Sequence, residues 1–291
     1  MANLKEIRTR IASVNSTRQI TSAMKMVSAA KLRKAQNAII ELRPYAQKLH
    51  EILGRVVGSS NHLENSPYTK KRKVERALIV IIASNRGLCG AFNTNSVKQA
   101  IELVENKYPE LRTQKKLDII TIGKKANDIL KARKIVISES HHEVFENLNY
   151  SSVSELSGRI MSDFVSCKYD EVFLVYNEFK NVAVQLLNAE QFLPVQIDLH
   201  KEKFDADYIF EPGQEEITEQ LIPFALKIQF YKAILESHAS EHGARMTAMH
   251  KATDNATELL RELRLTYNKA RQASITGEIL EIVGGAEALK G

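Results

Sequence analysis

The sequence is short of the residues that mark secreted and membrane-spanning proteins. Its 291 residues include only two cysteines, Cys89 and Cys167, which cannot build a disulfide framework and suit a reducing compartment. The longest unbroken apolar run is the seven residues 77–83, whereas a membrane-spanning helix needs about 20. The first ten residues are charged and lack the apolar core of a secretory signal. We therefore expect neither a transmembrane helix nor a signal peptide.

Proline is absent from the last 68 residues, so nothing there has to interrupt a helix. Residues 215–283 are helix-permissive throughout, and at about 1.5 Å per residue they predict a helix roughly 100 Å long. Helices of that length are typical of coiled coils. Apolar side chains recur there at heptad spacing: Leu221, Phe224, Ile228, Tyr231 and Leu235, then Met249, Ala252, Ala256, Leu259 and Leu263.

The N-terminal residues show the same apolar periodicity, which begins at Leu4 and continues past Pro44. We expect one long helix there, kinked but not ended by that proline. Residues 1–73 carry fifteen Lys and Arg against four Glu, and the remaining residues carry more acidic than basic groups. This asymmetry predicts a basic arm that meets an acidic partner.

The middle of the chain, residues 74–212, predicts a separate α/β domain. Short β-rich runs alternate there with helical segments near 95–106, 124–133 and 152–166. This order is typical of a small, mostly parallel sheet with flanking helices. The predicted strands are ALIVIIA (77–83), KLDIITIG (116–123), KIVIS (134–138), EVFLVYNEF (171–179) and VAVQLL (182–187).

Together these segments predict an antiparallel coiled coil, residues 1–58 and 213–291, that brackets an inserted α/β domain, with residues 59–73 as a polar linker. If the two helices leave the domain side by side, residue 1 lies opposite roughly residue 270. The last twenty or so residues then have no helix beside them, although they carry an apolar stripe that something must cover. The stripe contains Ile275, Ile279, Ile282, Ala286 and Leu289, widened by Leu280 and Val283.

The stretch SNRGLCGAFN (84–93) follows the most apolar run, a place where α/β proteins often hold a phosphate or a nucleophile. Its glycines permit a sharp strand-to-helix turn, and we expect Asn93 or Asn95 to cap the following helix. Cys89 has only Arg86 as a nearby cation and no adjacent base. The pattern therefore favours a structural turn over a phosphate site or a reactive thiol.

Three other patterns resemble binding motifs but favour structural interpretations. His238 and His242 with the intervening Glu241 fit the H-x-x-E-H zinc pattern, yet a coiled-coil rod offers no cleft or third ligand, which favours a partly buried helix face. The adjacent pair His141-His142 is typical of a strand or an irregular segment. The basic run KKRK (70–73) is typical of a solvated linker. No metal site or cofactor site is expected.

Four segments carry a family resemblance: TSAMKMVSAAKLRKAQ (21–36), SNRGLCGAFN (84–93), SEHGARMTAMHKATDNA (240–256) and LTYNKARQASITGEILEIVGGAEAL (265–289). In order and spacing they resemble the gamma subunits of F-type ATP synthases. The resemblance implies a non-catalytic rotor whose coiled coil turns inside a ring of three alpha and three beta subunits. It also implies a Rossmann-like α/β domain that meets the epsilon subunit and the c-ring, so that proton flow is coupled to ATP synthesis or hydrolysis on beta.

The resemblance assigns contacts to particular residues. Arg271, Gln272 and Thr276 match a polar catch with a loop of beta, and Tyr208 and Glu211 match the segment that meets the c-ring. The apolar stripe, from Ile275 through Ile279 and Ile282 to Leu289, would lie in a hydrophobic sleeve of the ring. A basic waist would face acidic segments of beta. It contains Arg8, Arg18, Lys25, Lys31, Arg33 and Lys34, and Met24 belongs to the family's waist motif.

The family motif begins almost at Met1, which predicts no organelle transit peptide and favours a bacterial protein at the cytoplasmic face of the plasma membrane. Contact with the membrane would be indirect, through the c-ring, and no nucleic acid would be bound. The alternative hypothesis is a basic coiled-coil protein that is structural or binds nucleic acid. Salt-sensitive DNA binding without assembly with alpha and beta would favour that alternative.

Overall fold

The structure, a computed structural model, describes residues 4–58, 66–195 and 213–288. Residue contacts divide the chain into two compact units. One unit is Ala29–Arg245, and the other combines Met1–Ser28 with Met246–Gly291. Two long helices, α1 (Leu4–Gly58) and α6 (Gln214–Ala288), contribute residues to both units.

The unit Ala29–Arg245 contains a five-stranded sheet with flanking helices. Its strands are β1 (Ala77–Ile82), β2 (Leu117–Ile122), β3 (Glu139–His141), β4 (Glu171–Phe179) and β5 (Gln185–Leu193). They lie in the order β3-β2-β1-β4-β5. All neighbouring pairs are parallel except β4 and β5, which are antiparallel. The remaining helices are α2 (Phe92–Lys107), α3 (Pro109–Thr113), α4 (Lys124–Ala132), a 3-10 turn (Glu143–Phe145) and α5 (Tyr150–Val165).

Strand β1 is fully buried, which explains why its sequence is a continuous apolar run rather than an alternating one. Its side chains supply two cores on opposite faces of the sheet. Leu78 and Val80 pack with helix α5 and with α6 residues such as Phe230 on one face. On the other face, Ile79 and Ile81 pack with α2 and α4. The predicted parallel sheet with helices on both faces is confirmed.

One predicted strand is wrong. Residues 134–138 lie outside β-structure, and the short strand β3 follows them at Glu139–His141. The reason is tertiary: Ile135 and Ile137 pack onto the sheet core instead of pairing as a strand. The backbone N–H of Ser138 donates to the carbonyl of Ile119 at 2.9 Å, which leads the chain into the pairing with β2.

In the second unit, the N- and C-terminal helices run antiparallel. Arg8 donates to the Tyr267 hydroxyl at 2.7 Å, and Thr253 donates to Thr21 at 2.9 Å. The numbers of the paired residues sum to about 275, which places Leu4 opposite about residue 271, within about one helical turn of the predicted register. Within the described ranges, no helix is both long and apolar enough to cross a membrane.

Candidate functional site

Helix α6 lies across the carboxyl ends of β1 and β4, the crevice where open α/β sheets usually bind ligands. The hydroxyl of Ser240 donates to the carbonyl of Asn177 near the end of β4, at 3.0 Å. Ser237 lies 3.5 Å from the carbonyl oxygen of Ile82, the last residue of β1. Both serines are buried. The crevice is therefore filled by the chain's own helix. It forms a junction between α6 and the sheet and not a pocket for a small ligand.

The first polar contact of this junction is centred on Glu236, whose side chain is 1% exposed. Its carboxylate accepts hydrogen bonds from the Arg43 guanidinium, with Nε at 3.1 Å and Nη2 at 2.9 Å. It also accepts from the backbone N–H of Phe179 at 3.0 Å, and Arg43 donates to the carbonyl of Phe179. Two long helices and the end of β4 are thus joined at one carboxylate.

The second polar contact is centred on Arg245. Its guanidinium donates to the carbonyls of Arg86 (2.9 Å) and Gly87 (3.2 Å) in the loop after β1, and it lies 2.7 Å from Glu241 Oε1. The side chains of Arg245 and Glu241 are 7% and 8% exposed. Burial raises the pKa of Glu241, and the charge of Arg245 opposes that shift. The loop that begins SNRG is therefore bonded directly to helix α6.

Within that loop the polar side chains bond to one another. Asn93 Oδ1 accepts from the backbone N–H and the hydroxyl of Ser84, both at 2.9 Å, and Asn93 Nδ2 lies 3.2 Å from Cys89 Sγ. The prediction that Asn93 or Asn95 caps the helix is wrong: α2 begins at Phe92, and its N-cap residue, Ala91, gives no side-chain bond. Asn93 lies two residues past the N-cap position and instead closes the turn.

Cys89 is buried, and burial raises the pKa of its thiol, which keeps it protonated and unreactive. We expect Cys89→Ser to lower the free energy of unfolding by no more than about 1 kcal/mol, because serine retains a hydrogen-bonding atom for Asn93. In the native wild-type chain, a thiol reagent should label Cys167, which is exposed, and spare Cys89. Rapid labelling of both thiols would contradict the structural interpretation.

His238 and His242 lie on the buried side of α6, with their Nε2 atoms 3.2 Å apart. Arg245 Nη1 donates to His242 Nδ1, so the proton of neutral His242 is on Nε2 and is donated to His238. The ring of His238 stacks on Phe145, with centroids 5.8 Å apart. No cluster of three metal-ligating side chains occurs in the described part of the chain. The H-x-x-E-H pattern here forms a hydrogen-bonded core contact.

This histidine pair predicts a loss of stability in mild acid. Burial and nearby cations lower the pKa of His238 to about 4, and burial and His238 lower that of His242 to about 3. Below pH 6.5 the unfolded chain therefore binds more protons than the folded one. Stability should fall as the pH drops from 6.5 toward 4, by up to about 1.4 kcal/mol per pH unit for each histidine. The raised pKa of Glu241 opposes this trend.

The control for that prediction is His242→Gln, which removes one of the two titrating groups and keeps a hydrogen-bonding side chain. Its midpoint of urea unfolding should depend less steeply on pH between 6.5 and 4.5 than the wild-type midpoint. If the unfolding midpoints of the variant and the wild type depended equally on pH, the lowered pKa values of His238 and His242 would be contradicted.

The residues assigned to the waist all lie on α1. In one unit, Lys31, Arg33 and Lys34 are exposed. In the other, Met24, Arg18 and Lys25 are half-buried, and Lys25 Nζ lies 3.3 Å from His250 Nδ1. These five basic residues remain candidates for contact with an acidic partner.

Arg18 also borders a groove of about 270 Å³ between the paired helices of its unit. Arg261 and Arg264 line the same groove, and the exposed side chain of Leu265 lies beside them. Local sequence does not single out these two arginines, because their proximity to Arg18 depends on the register of the helix pair. A cationic groove on a rod-like surface suits a carboxylate-bearing protein segment.

The residues assigned to the catch and the tail lie on the last quarter of α6. Arg271, Gln272 and Thr276 are exposed, and the Thr276 hydroxyl donates to the carbonyl of Gln272. The apolar tail is exposed too, from 48% at Ile275 to 72% at Ile282. Tyr208, Glu211 and Leu289 lie outside the described residues.

Sequence reasoning missed Glu236, although one signal was available. Glu236 directly follows the apolar residues 233–235 on the predicted coiled-coil helix, and a carboxylate at such a position is either exposed or paired inside the protein. Its partner, Arg43, lies almost two hundred residues away, so no local pattern identifies it.

Comparison with known proteins gives concordant matches. A family model described as ATP synthase matches residues 3–289. The ATP synthase gamma chain of Christiangramia forsetii is 54% identical over 291 residues, covering 100% of each chain. A chain from the central stalk and c-ring of Tetrahymena thermophila mitochondrial ATP synthase is 26% identical, with a TM-score of 0.57 over 80% of this chain and 99% of that chain. A chain of Euglena gracilis mitochondrial ATP synthase shares the fold, at 24% identity and a TM-score of 0.68, over 98% of this chain and 94% of that one.

Proposed function

Since the chain belongs to the ATP synthase gamma chain family, we propose that it is the central-stalk rotor subunit of an F-type ATP synthase. It turns inside a ring of three alpha and three beta subunits and carries no catalytic residue of its own. The shaft comprises residues 1–58 and 213–291, and the α/β domain comprises residues 74–212. That domain joins the epsilon subunit and the c-ring at the cytoplasmic face of a bacterial membrane.

One observation carries this proposal: the end of α6 exposes a row of large apolar side chains. Five residues between Ile275 and Val283 are 48–72% exposed, and all belong to one continuous helix. An exposed apolar row of this size on a helix marks a surface that a partner covers. In this family, a hydrophobic sleeve formed by the ring of alpha and beta subunits would cover this surface.

The polar catch supports the same assignment. Arg271 is exposed, and its guanidinium has no partner among the described residues, so it is available to a carboxylate of a beta loop. A guanidinium can bind a carboxylate through two parallel hydrogen bonds, which fixes orientation as well as distance. Contacts of Tyr208 and Glu211 with the c-ring remain part of the proposal.

Two variants test the proposal in complexes assembled by coexpression with alpha and beta. Replacing both Ile279 and Ile282 with glutamate should reduce the yield of assembled, ATP-hydrolysing complex at least tenfold, because charges would enter an apolar sleeve. The unfolding midpoint of the separate chain should not change, since both residues are exposed there. Arg271→Ala should permit assembly but weaken the coupling of hydrolysis to proton pumping.

A matched control is Glu281→Gln, which alters an exposed polar position of the same helix segment and should assemble normally. Normal assembly and coupling by the Ile279 and Ile282 double variant would contradict the sleeve. Salt-sensitive binding of the chain to DNA, with no assembly with alpha and beta, would support the nucleic-acid alternative instead.

A further inference from the structure

The α/β domain contains an open cavity that its role in a rotor does not use. The cavity has a volume of about 450 Å³ and lies between helices α2 and α4 over one face of the sheet. Among its lining residues, Ile101, Leu117 and Ile135 are half-buried and so present apolar surface to the opening. Pockets that hold small molecules typically measure about 300–1,000 Å³ and have mostly apolar walls.

The walls favour an aliphatic ligand over an aromatic one. The apolar lining consists of branched aliphatic residues and one alanine, and no aromatic side chain lines the cavity. Ring stacking is therefore not available to a bound molecule. Val136, at the mouth, is 87% exposed, which extends the apolar surface outward to solvent. A flexible hydrocarbon chain fits such a lining best.

The mouth carries a positive charge. Arg112, Lys115 and Lys134 line it, and all three are exposed. Arg112 has an ion-pair partner, Glu105, at 2.9 Å. In the described part of the chain, the ammonium groups of Lys115 and Lys134 have no carboxylate partner, so their charges are available to a ligand.

One carboxylate, Asp118, also lines the cavity, but its interactions lie elsewhere. Its Oδ1 accepts from the hydroxyl of Ser138 at 2.7 Å, and its Oδ2 lies 3.9 Å from Arg76. The two unpaired ammonium groups therefore dominate the field at the mouth, and an anionic head group is favoured there.

The backbone at the two lysines is a second, independent feature. Lys115 and Lys134 both have a left-handed conformation, with φ of 55° and 58°. Glycine or asparagine is usual where a helix ends in this conformation. Each lysine follows a helix, α3 or α4, that ends beside the cavity. Lysine at both helix ends brings two cations to the same opening.

We propose that this cavity binds a single-chain aliphatic carboxylate, with its hydrocarbon chain against Ile101, Leu117 and Ile135 and its head group between Lys115 and Lys134. The ligand class follows from charge complementarity at the mouth and from the aliphatic walls. The site is distinct from the junction of α6 with the sheet, so the proposal does not depend on the rotor function.

Calorimetric titration of the full-length chain with decanoate, kept below micelle-forming concentrations, tests the proposal. One saturable site is expected. The double variant Lys115→Gln/Lys134→Gln should bind at least tenfold more weakly, while its unfolding midpoint stays unchanged because both side chains are exposed. A matched control is Lys131→Gln, an exposed lysine of α4 that does not line the cavity and should leave the affinity unchanged.

A second variant tests the hydrocarbon part of the site. Ala100→Leu adds volume within the lining and should weaken decanoate binding while both lysines remain. The proposal is overturned if the lysine double variant binds decanoate as tightly as wild type, or if decyltrimethylammonium binds equally well. Lysine-dependent binding to phosphatidylglycerol vesicles, with no saturable decanoate site, would assign the patch to a membrane surface and also overturn it.

Discussion

Replacing Arg245 with alanine is expected to lower the free energy of unfolding of the Ala29–Arg245 unit by about 3–5 kcal/mol. The guanidinium joins helix α6 to the loop after β1 through two backbone carbonyls, Arg86 and Gly87. It also neutralises Glu241, which is almost fully buried. Removing one member of a buried ion pair leaves the other charge without compensation, and this accounts for most of the expected loss.

The loss should depend on pH in a direction that identifies its cause. Burial raises the pKa of Glu241 in the folded chain, and loss of the neighbouring guanidinium raises it further. The folded variant therefore takes up a proton at a higher pH than the unfolded chain. Destabilisation should be greatest at alkaline pH and should shrink as the pH falls and Glu241 takes up a proton.

Hydrogen exchange of the β1 amides, Ala77–Ile82, measures this loss at the junction itself. A matched control is Arg133→Ala, which removes an exposed arginine that follows α4 and should change stability by less than about 0.5 kcal/mol. In an assembled complex, Arg245→Ala should reduce proton pumping more than ATP hydrolysis. Unchanged exchange in the variant would show that Arg245 does not hold the loop.

Local sequence patterns predicted those helices and strands whose surroundings stay the same along their whole length. The absence of proline after residue 223 and the heptad spacing predicted α6, and the apolar run at 77–83 predicted β1, because a strand buried on both faces needs no alternation. For residues 134–138 the apolar pattern predicted a strand and was wrong, because Ile135 and Ile137 pack onto the core without strand pairing. Pairing with β2, which local sequence does not encode, decides where β3 begins.

The junction could be predicted only in part. The loop SNRGLCGAFN was correctly identified as a turn after a buried strand, but the partner that occupies its crevice comes from residues 236–245, far along the chain. Asn93 looked like a helix cap, and it bonds instead to Ser84. Polar contacts between residues far apart in the chain leave no periodic pattern in the sequence, because a single residue from each segment is sufficient to form them.

The second large effect is expected at Glu236. Glu236→Ala should lower the free energy of unfolding by about 3–5 kcal/mol, because it leaves Arg43 without its carboxylate and the buried N–H of Phe179 without an acceptor. Arg43 is 42% exposed and can turn toward water. The backbone N–H of Phe179, at the end of β4, cannot turn toward water. Its missing hydrogen bond therefore accounts for the part of the stability loss that side-chain rearrangement does not relieve.

Glu236→Gln separates these two contributions. The amide oxygen of glutamine can still accept from Phe179, whereas the charge that Arg43 binds is lost, so this variant should lose roughly half as much stability as alanine. Glu155→Ala, which alters an exposed residue of α5, should change stability by less than about 0.5 kcal/mol. Equal losses for the glutamine and alanine variants would mean that the ion pair with Arg43, and not the backbone bond, holds α6 to β4.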